Sequence, residues 1–325
     1  MAAAAALAWN ALNQMEAGSG TVYLRADVVG GTFRQTGCDV RRAGVYDWAM
    51  FEFEILARDP RGAARRGRLM TPHGPVDTPA FMPVGTRASV KGLLPAMLRE
   101  AGTQIVLANT YHLQLRPGPE LIGRLGGLHR FMNWDGPILT DSGGYQVFSL
   151  GDLAKIDDEG VSFRSHIDGA MVRLDAATAT RIQNQLGADI IMAFDQCPPG
   201  CADRQLATAA VDRSIRWARQ CKEAHARDDQ ALFGIVQGGV YHDLRRVCAE
   251  RLVEIGFAGY AVGGLSVGES REQMIEVLHA LEGHLPPDRP RYLMGVGMPA
   301  ELVAAVRAGM DMFCLLYTSP SPRDS

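Results

Sequence analysis

Asn109, Asp141, Asp195 and Gln237 are the residues of this 325-residue chain whose types and placing suggest chemistry. Each closes a short apolar run: Gln104–Ala108, Ile138–Thr140, Asp189–Phe194 and Leu232–Val236. Gly263-Gly264 and Gly295 to Gly297 close two more runs in the same way. Carboxylates accept hydrogen bonds from N–H donors, while an amide side chain or a glycine N–H donates to a carbonyl oxygen. Tyr145, just past Asp141, and Met294 offer the faces between which a planar ring would sit. The set suits a guanine-like base, which shows N–H donors on one edge and a carbonyl on another, and it suits adenine poorly. Two carboxylates in one site also fit a glycosidase, with one acid and one nucleophile. The plain alternative for a lone aspartate is a cap on the helix that follows. Four polar closures in one register favour a site.

The elements that position these residues read from periodicity. Eight apolar runs recur, at Ala80–Val84, Gln104–Ala108, Ile138–Thr140, Asp189–Phe194, Leu232–Val236, Tyr260–Val262, Tyr292–Met294 and Met310–Phe313. Amphipathic segments with readable ends lie between them. Ser270-Arg271-Glu272-Gln273 is a capping box whose helix Gly283 would close. Pro299 fits a first helical turn, and Gly187, Gly256 and Gly309 fit helix ends. Strands alternating with helices imply right-handed βαβ units and a parallel sheet. Eight of them predict an α/β fold of the (β/α)8 TIM-barrel type, with a doubly wound sheet as the alternative. In a barrel, chemistry collects at the carboxyl ends of the strands, where the polar closures fall. Val161–Ile167 and Ala170–Leu174 flank Asp168-Gly169, which predicts a tight-turned hairpin inserted at about 161–174, over one end of the barrel.

A hydrophobic share of 47% supplies ample core, and a net charge of −3 shows no global basic excess. The six cysteines, at 38, 197, 201, 221, 248 and 314, are too scattered for a disulfide framework and point to a reducing, cytoplasmic setting. Cys197 and Cys201 alone are weak support for zinc. No apolar run reaches membrane-spanning length. Residues 1–50, with an Ala-rich start and Gly-rich stretches, read as an extension of unassigned role and poorly support a signal or transit peptide.

A series of strings resembles one family. They are Thr78-Pro79-Ala80-Phe81-Met82-Pro83-Val84-Gly85-Thr86, Asn109-Thr110-Tyr111-His112-Leu113, Leu115-Arg116-Pro117-Gly118 and Thr140-Asp141-Ser142-Gly143-Gly144-Tyr145-Gln146. Phe194-Asp195-Gln196-Cys197, Gln237-Gly238-Gly239, Val262-Gly263-Gly264-Leu265, Tyr292-Leu293-Met294-Gly295-Val296-Gly297 and Asp311-Met312-Phe313 follow in order. From about Phe51 to Phe313 the chain resembles bacterial-type tRNA-guanine transglycosylases, also called queuine tRNA-ribosyltransferases. The resemblance implies a barrel with a C-terminal zinc subdomain. It implies exchange of guanine at the wobble position of tRNAs with a GUN anticodon (the Asp, Asn, His and Tyr isoacceptors) through a covalent RNA–enzyme intermediate. By motif position Asp141 resembles the general acid/base. The resemblance makes Ser142, Gly143, Gly144, Asp195, Gln237, Gly264 and Leu265 substrate-binding, with Tyr145 and Met294 stacking. The stretch Gly295, Val296, Gly297, Met298, Pro299, Ala300 and Glu301 resembles the RNA-contacting segment. Cys197 and Val267 resemble members that insert preQ1, whereas Ser266 resembles members that insert queuine. A Val side chain would crowd queuine's larger ring, so preQ1 is the expected base. The resemblance also implies a homodimer or a related partner subunit.

The chain departs from the pattern after Phe313. The resemblance implies an aspartate there as the nucleophile, and Cys314 stands in its place; Asp311 is a different position. The Cys-x-Cys-x2-Cys string and later His of the zinc subdomain, and the last barrel helix, are not found in this sequence. Residues 314–325 read as a Ser/Pro-rich tail outside the family pattern. The expectation is a truncated transglycosylase over 51–313 that is inactive as written, with Zn2+ expected in full-length members. The alternative is a non-catalytic tRNA- or base-binding partner subunit.

Overall fold

In the computed structural model the described residues are 51–148, 154–200 and 202–315; the extension 1–50, Cys201 and the tail past Leu315 lie outside them. In chain order the strands are β1 (Phe53–Arg58), β2 (Arg65–Thr71), β3 (Gly74–Thr78), β4 (Ala80–Met82), β5 (Val84–Gly85), β6 (Val106–Ala108), β7 (Ile138–Thr140) and β8 (Ala154–Ile156). They continue with β9 (Gly160–Arg164), β10 (Met171–Asp175), β11 (Ile190–Met192), β12 (Ala231–Val236), β13 (Gly259–Val262), β14 (Arg291–Leu293) and β15 (Met312–Cys314).

The eight apolar runs become one parallel sheet in the order β4-β15-β14-β13-β12-β11-β7-β6-β5. Its two ends are halves of a single run: β4 pairs with β15 through Phe313↔Phe81, and β5 pairs with β6 through Gly85↔Ala108. The sheet therefore closes on itself as a TIM barrel. The doubly wound alternative is excluded.

Alternate residues divide two cores, as a period of two requires. Ile105, Leu107, Leu139, Ile190, Met192, Phe233, Ile235, Ala261, Tyr292 and Met312 fill the barrel. Val106, Ile138, Ile191, Leu232, Val236, Tyr260, Val262, Leu293 and Phe313 face the surrounding helices. Carried one step past the strands, the inward period lands on Asn109, Asp141, Gln237, Gly263 and Met294. The pattern that builds the core thus also delivers the polar closures to the barrel mouth.

β1, β2 and β3 form an antiparallel sheet that the apolar runs do not announce. Its Phe53, Leu69 and Val76 join the interior core and plug the amino-terminal pole. Arg65, with its side chain 1% exposed, fastens this sheet to the barrel through a 2.6 Å ion pair with Asp311 and bonds to the Pro287 and Arg289 carbonyls. Asp311 also accepts from the Arg291 N–H and stands at this pole, away from the mouth, in keeping with its separate place in the sequence pattern.

The inserted hairpin is three-stranded, β10-β9-β8, and its turn is longer than Asp168-Gly169 predicts. Met171 pairs with Arg164, so residues 165–170 form the connection. Gly169 does adopt φ +74°, but the Ser165 hydroxyl accepts from Ile167 N–H and lengthens the loop. His166 in that loop meets the Tyr111 hydroxyl at 2.8 Å, which puts the insertion beside the barrel mouth. The capping box at Ser270 is present, and its helix ends at Ala280 rather than running to Gly283. No helix among the described residues is long and apolar enough to cross a membrane.

Candidate active site

Around the mouth the strand order sets who faces whom. β7 and β14 are separated by β11, β12 and β13 on one side and by β15, the split run and β6 on the other. Tyr145, on the short helix Gly144–Phe148 after β7, therefore stands across the barrel from Met294 at the end of β14. Tyr145 is 38% exposed at the mouth. Asp195, Gln237 and Gly264 line the arc between them on one side. Asn109 and Cys314 line the other, with Asp141 at the junction.

Asp141 is buried and densely bonded. One carboxylate oxygen accepts from Thr110 N–H at 2.9 Å and Gly143 N–H at 3.2 Å. The other accepts from Asn109 Nδ2 at 2.6 Å and Gln146 Nε2 at 3.2 Å. Burial outweighs these donors and pushes its pKa up to about 7. Asn109 also caps the helix Thr110–Leu115 by accepting from His112 N–H, so its two ends serve the cap and the Asp141 carboxylate at once.

Asp195 breaks the inward period because Phe194 turns outward against Trp217, ring centroids 4.9 Å apart. The carboxylate accepts from Gln237 Nε2 at 2.6 Å and from the Ser142 hydroxyl at 3.4 Å, and burial raises its pKa to about 6. Gly143 and Gly144 serve packing here. A Cβ at Gly144 would lie 2.9 Å from the Asp195 carbonyl oxygen, and one at Gly143 would lie 3.2 Å from Tyr111 nitrogen. Glycine lets the Asp-Ser-Gly-Gly loop wedge between its neighbours. Gln237 leaves its buried Oε1 without a partner, facing the spot where a Gly264 side chain would stand.

On the opposite arc Cys314 is 1% exposed, and its sulfur lies 2.7 Å from the Tyr292 hydroxyl. Burial pushes the thiol up to about 11. Leu265 is buried at 3%, and the segment 295–301 leads from β14 into the helix Pro299–Arg307, with Met298, Pro299 and Ala300 exposed.

A family model described as queuine tRNA-ribosyltransferase matches residues 59–323. The queuine tRNA-ribosyltransferase of Halothermothrix orenii is 58% identical over 267 residues, which is 82% of this chain and 72% of the relative. That of Symbiobacterium thermophilum is 58% identical over 268 residues, 82% and 67% of the two chains, and that of Gloeobacter violaceus 57% over 271 residues, 83% and 71%. The chain belongs to the queuine tRNA-ribosyltransferase family. It is a bacterial-type tRNA-guanine transglycosylase by descent, and the glycosidase alternative falls away.

Two features of this family member escape sequence reasoning. Arg245, on the helix His242–Ile255, is fully buried and donates to the carbonyls of Val236, Gly239, Gly263 and Gly264. An arginine on an outer helix reads as a solvated charge, and only its place six residues after Gln237-Gly238-Gly239, in the first turn of the helix, marks it. At the far pole, Asp189 accepts from His73 Nδ1 at 2.7 Å, His129 Nε2 at 2.9 Å and the N–H groups of His73 and Ile138. Burial opposes ionisation of Asp189, but the imidazole donors hold its pKa below the usual range. The two rings stack at 3.5 Å.

The zinc site that the resemblance implies is not met by the described residues. Cys221 and Cys248 accept backbone N–H groups of Phe194 and Gln237, and Cys314 contacts Tyr292. These cysteines lie apart, each absorbed into local packing. The single histidine-and-carboxylate group close enough to share an ion, among the described residues, is the saturated His73–His129–Asp189 cluster.

Proposed function

We propose that this chain carries the base-exchange pocket of a transglycosylase that replaces guanine at the wobble position of GUN-anticodon tRNAs with preQ1. The observation that carries the reading is the arc Asp195–Gln237–Gly264 between two facing stackers, with a near-neutral carboxyl, Asp141, beside it. Ionised Asp195 accepts the N–H groups of the base edge. Gln237, turned from Asp195, and the Gly264 N–H donate to the base carbonyl. Tyr145 and Met294 cover the two faces of the ring, and segment 295–301 holds the RNA. Reaching a loop base this way requires it to leave its stack.

In the exchange, a carboxylate oxygen attacks the ribose C1′, the C1′–N9 bond breaks and the bonding pair leaves with guanine. Asp141, with a pKa near 7, gives a proton to the departing base. The incoming base surrenders its N9 proton to Asp141 and displaces the carboxylate from C1′. In this chain the position of the attacking carboxylate holds the Cys314 thiol, which burial keeps protonated at neutral pH. The chain therefore binds base without completing exchange. Substitution Cys314→Asp is expected to yield a tRNA adduct that survives denaturing electrophoresis.

The deciding experiment is calorimetric titration of the chain with preQ1, queuine and adenine. preQ1 is expected to bind, queuine to bind more weakly because of Val267, and adenine not to bind. A cooperatively melting chain that ignores preQ1, or takes adenine equally, overturns the reading.

A further inference from the structure

We infer that Arg245 is a positioning residue for base recognition: it aims the Gly264 N–H into the pocket and strengthens it as a donor to a carbonyl-bearing base. The inference rests on the pocket reading above. The Arg245 Nη1 donates to the Gly263 carbonyl at 2.6 Å and to the Val236 carbonyl at 2.8 Å. Its Nη2 donates to the Gly264 carbonyl at 3.1 Å and its Nε to the Gly239 carbonyl at 2.8 Å. These four carbonyls bracket Gln237 and Gly264, the two residues that would donate to the base.

A trans peptide points its C=O and N–H in opposite directions. The Gly263 carbonyl belongs to the same peptide as the Gly264 N–H. Fixing that carbonyl on Arg245 therefore turns the N–H to the other side, where it meets the sulfur of Cys197, two residues beyond Asp195. A cation on the carbonyl oxygen polarises the amide, so its N–H donates more strongly in a dry site. The same guanidinium, holding Val236 and Gly239, fixes the backbone on both sides of Gln237. Among the described residues no carboxylate lies within ion-pair distance of Arg245; Glu269 acts on it only through space, and the direct partners of the guanidinium are the four carbonyls. The adjoining glycines let the Arg245 helix approach closely: a Cβ at Gly238 would lie 2.8 Å from the Arg245 backbone nitrogen and 3.1 Å from its Cγ, and one at Gly264 would collide with the Gln237 amide.

The test compares guanine with 2-aminopurine, which lacks the carbonyl, by calorimetry on the whole chain and on Arg245→Met, Arg245→Lys and Leu252→Ala. Leu252 is buried on the same helix and makes no bond to the strand ends, so its variant reports plain destabilisation. Arg245→Met is expected to weaken guanine by about tenfold or more and leave 2-aminopurine unchanged, with Arg245→Lys intermediate. Leu252→Ala is expected to keep the guanine preference. A folded Arg245→Met with the original preference, or an equal loss in Leu252→Ala, overturns the inference. Failure of the unaltered chain to bind guanine overturns the pocket reading beneath it. Independently of any variant, guanine is expected to slow hydrogen exchange at the Gly264 amide of the unaltered chain; unchanged exchange there overturns the aimed donor.

Discussion

At the scale of single residues the site is governed by how burial and donors divide two aspartates. Asp141 has four donors and Asp195 two, yet desolvation lifts both, to about 7 and about 6. Asp195 must be ionised to accept the base edge. Its protonation below about pH 6 should therefore weaken guanine by about tenfold per pH unit, with a plateau above. Calorimetry from pH 5 to 8 reads this directly, and Asp195→Asn should bind weakly with no such slope. A flat profile for the unaltered chain would remove Asp195 from recognition. Gly264→Ala should abolish binding in the same assay. Its Cβ would strike Gln237, and its φ of +63° suits glycine.

Elements explain why some of this was legible and some was not. Each barrel strand alternates apolar residues, and the same period carried past the strand end announces Asn109, Asp141 and Gln237. Asp195 is off period, yet its motif still marked it, because the strand-end position survives the outward turn of Phe194. The sheet β1–β3 escaped notice because its alternation is written in Arg, Gly and Thr: Arg65, Gly67, Leu69 and Thr71 of β2 are the buried set. Its anchor, Arg65 on Asp311, joins residues 246 positions apart, a pairing that only barrel closure creates. Arg245 escapes for a different reason: its partners are near in sequence, but they are backbone carbonyls, which no side-chain pattern announces. Arg65→Ala leaves Asp311 as a buried charge without its cation, which should cost about 3–5 kcal/mol in urea unfolding. Arg65→Met with Asp311→Asn should recover much of that loss. Guanine affinity of the folded fraction should not change, since the pair sits at the pole opposite the mouth. A large affinity change would mean that the plug and the mouth are coupled through the barrel.

Across the whole molecule buried carboxyls shape stability against pH: Asp189 at the plugged pole is shifted down, whereas Asp311 at that same pole and Asp141 and Asp195 at the mouth are shifted up by burial. At the plugged pole Asp189 binds protons less readily folded than unfolded. Its contribution is present above the unfolded carboxyl range near 4 and is lost as pH falls. At the mouth Asp141 and Asp195 bind protons more readily folded than unfolded. Their contribution is complete below about 4 and is lost as pH rises through about 6 for Asp195 and about 7 for Asp141. Stability should therefore peak at mildly acidic pH and decline toward neutrality, where the pocket is charged and ready for base. Urea midpoints measured between pH 3 and 8 should show that dome. Asp141→Asn should flatten its neutral side and leave the acid side in place, and Asp189→Asn should do the reverse. A stability that climbs steadily from pH 4 to 8 would show that the mouth carboxyls are ionised without penalty, and with that the near-neutral proton donor assigned to Asp141 would be lost. If the dome is found, the decline toward pH 7 measures what the empty pocket forgoes in stability to keep two buried carboxylates available for a base that can bond to them.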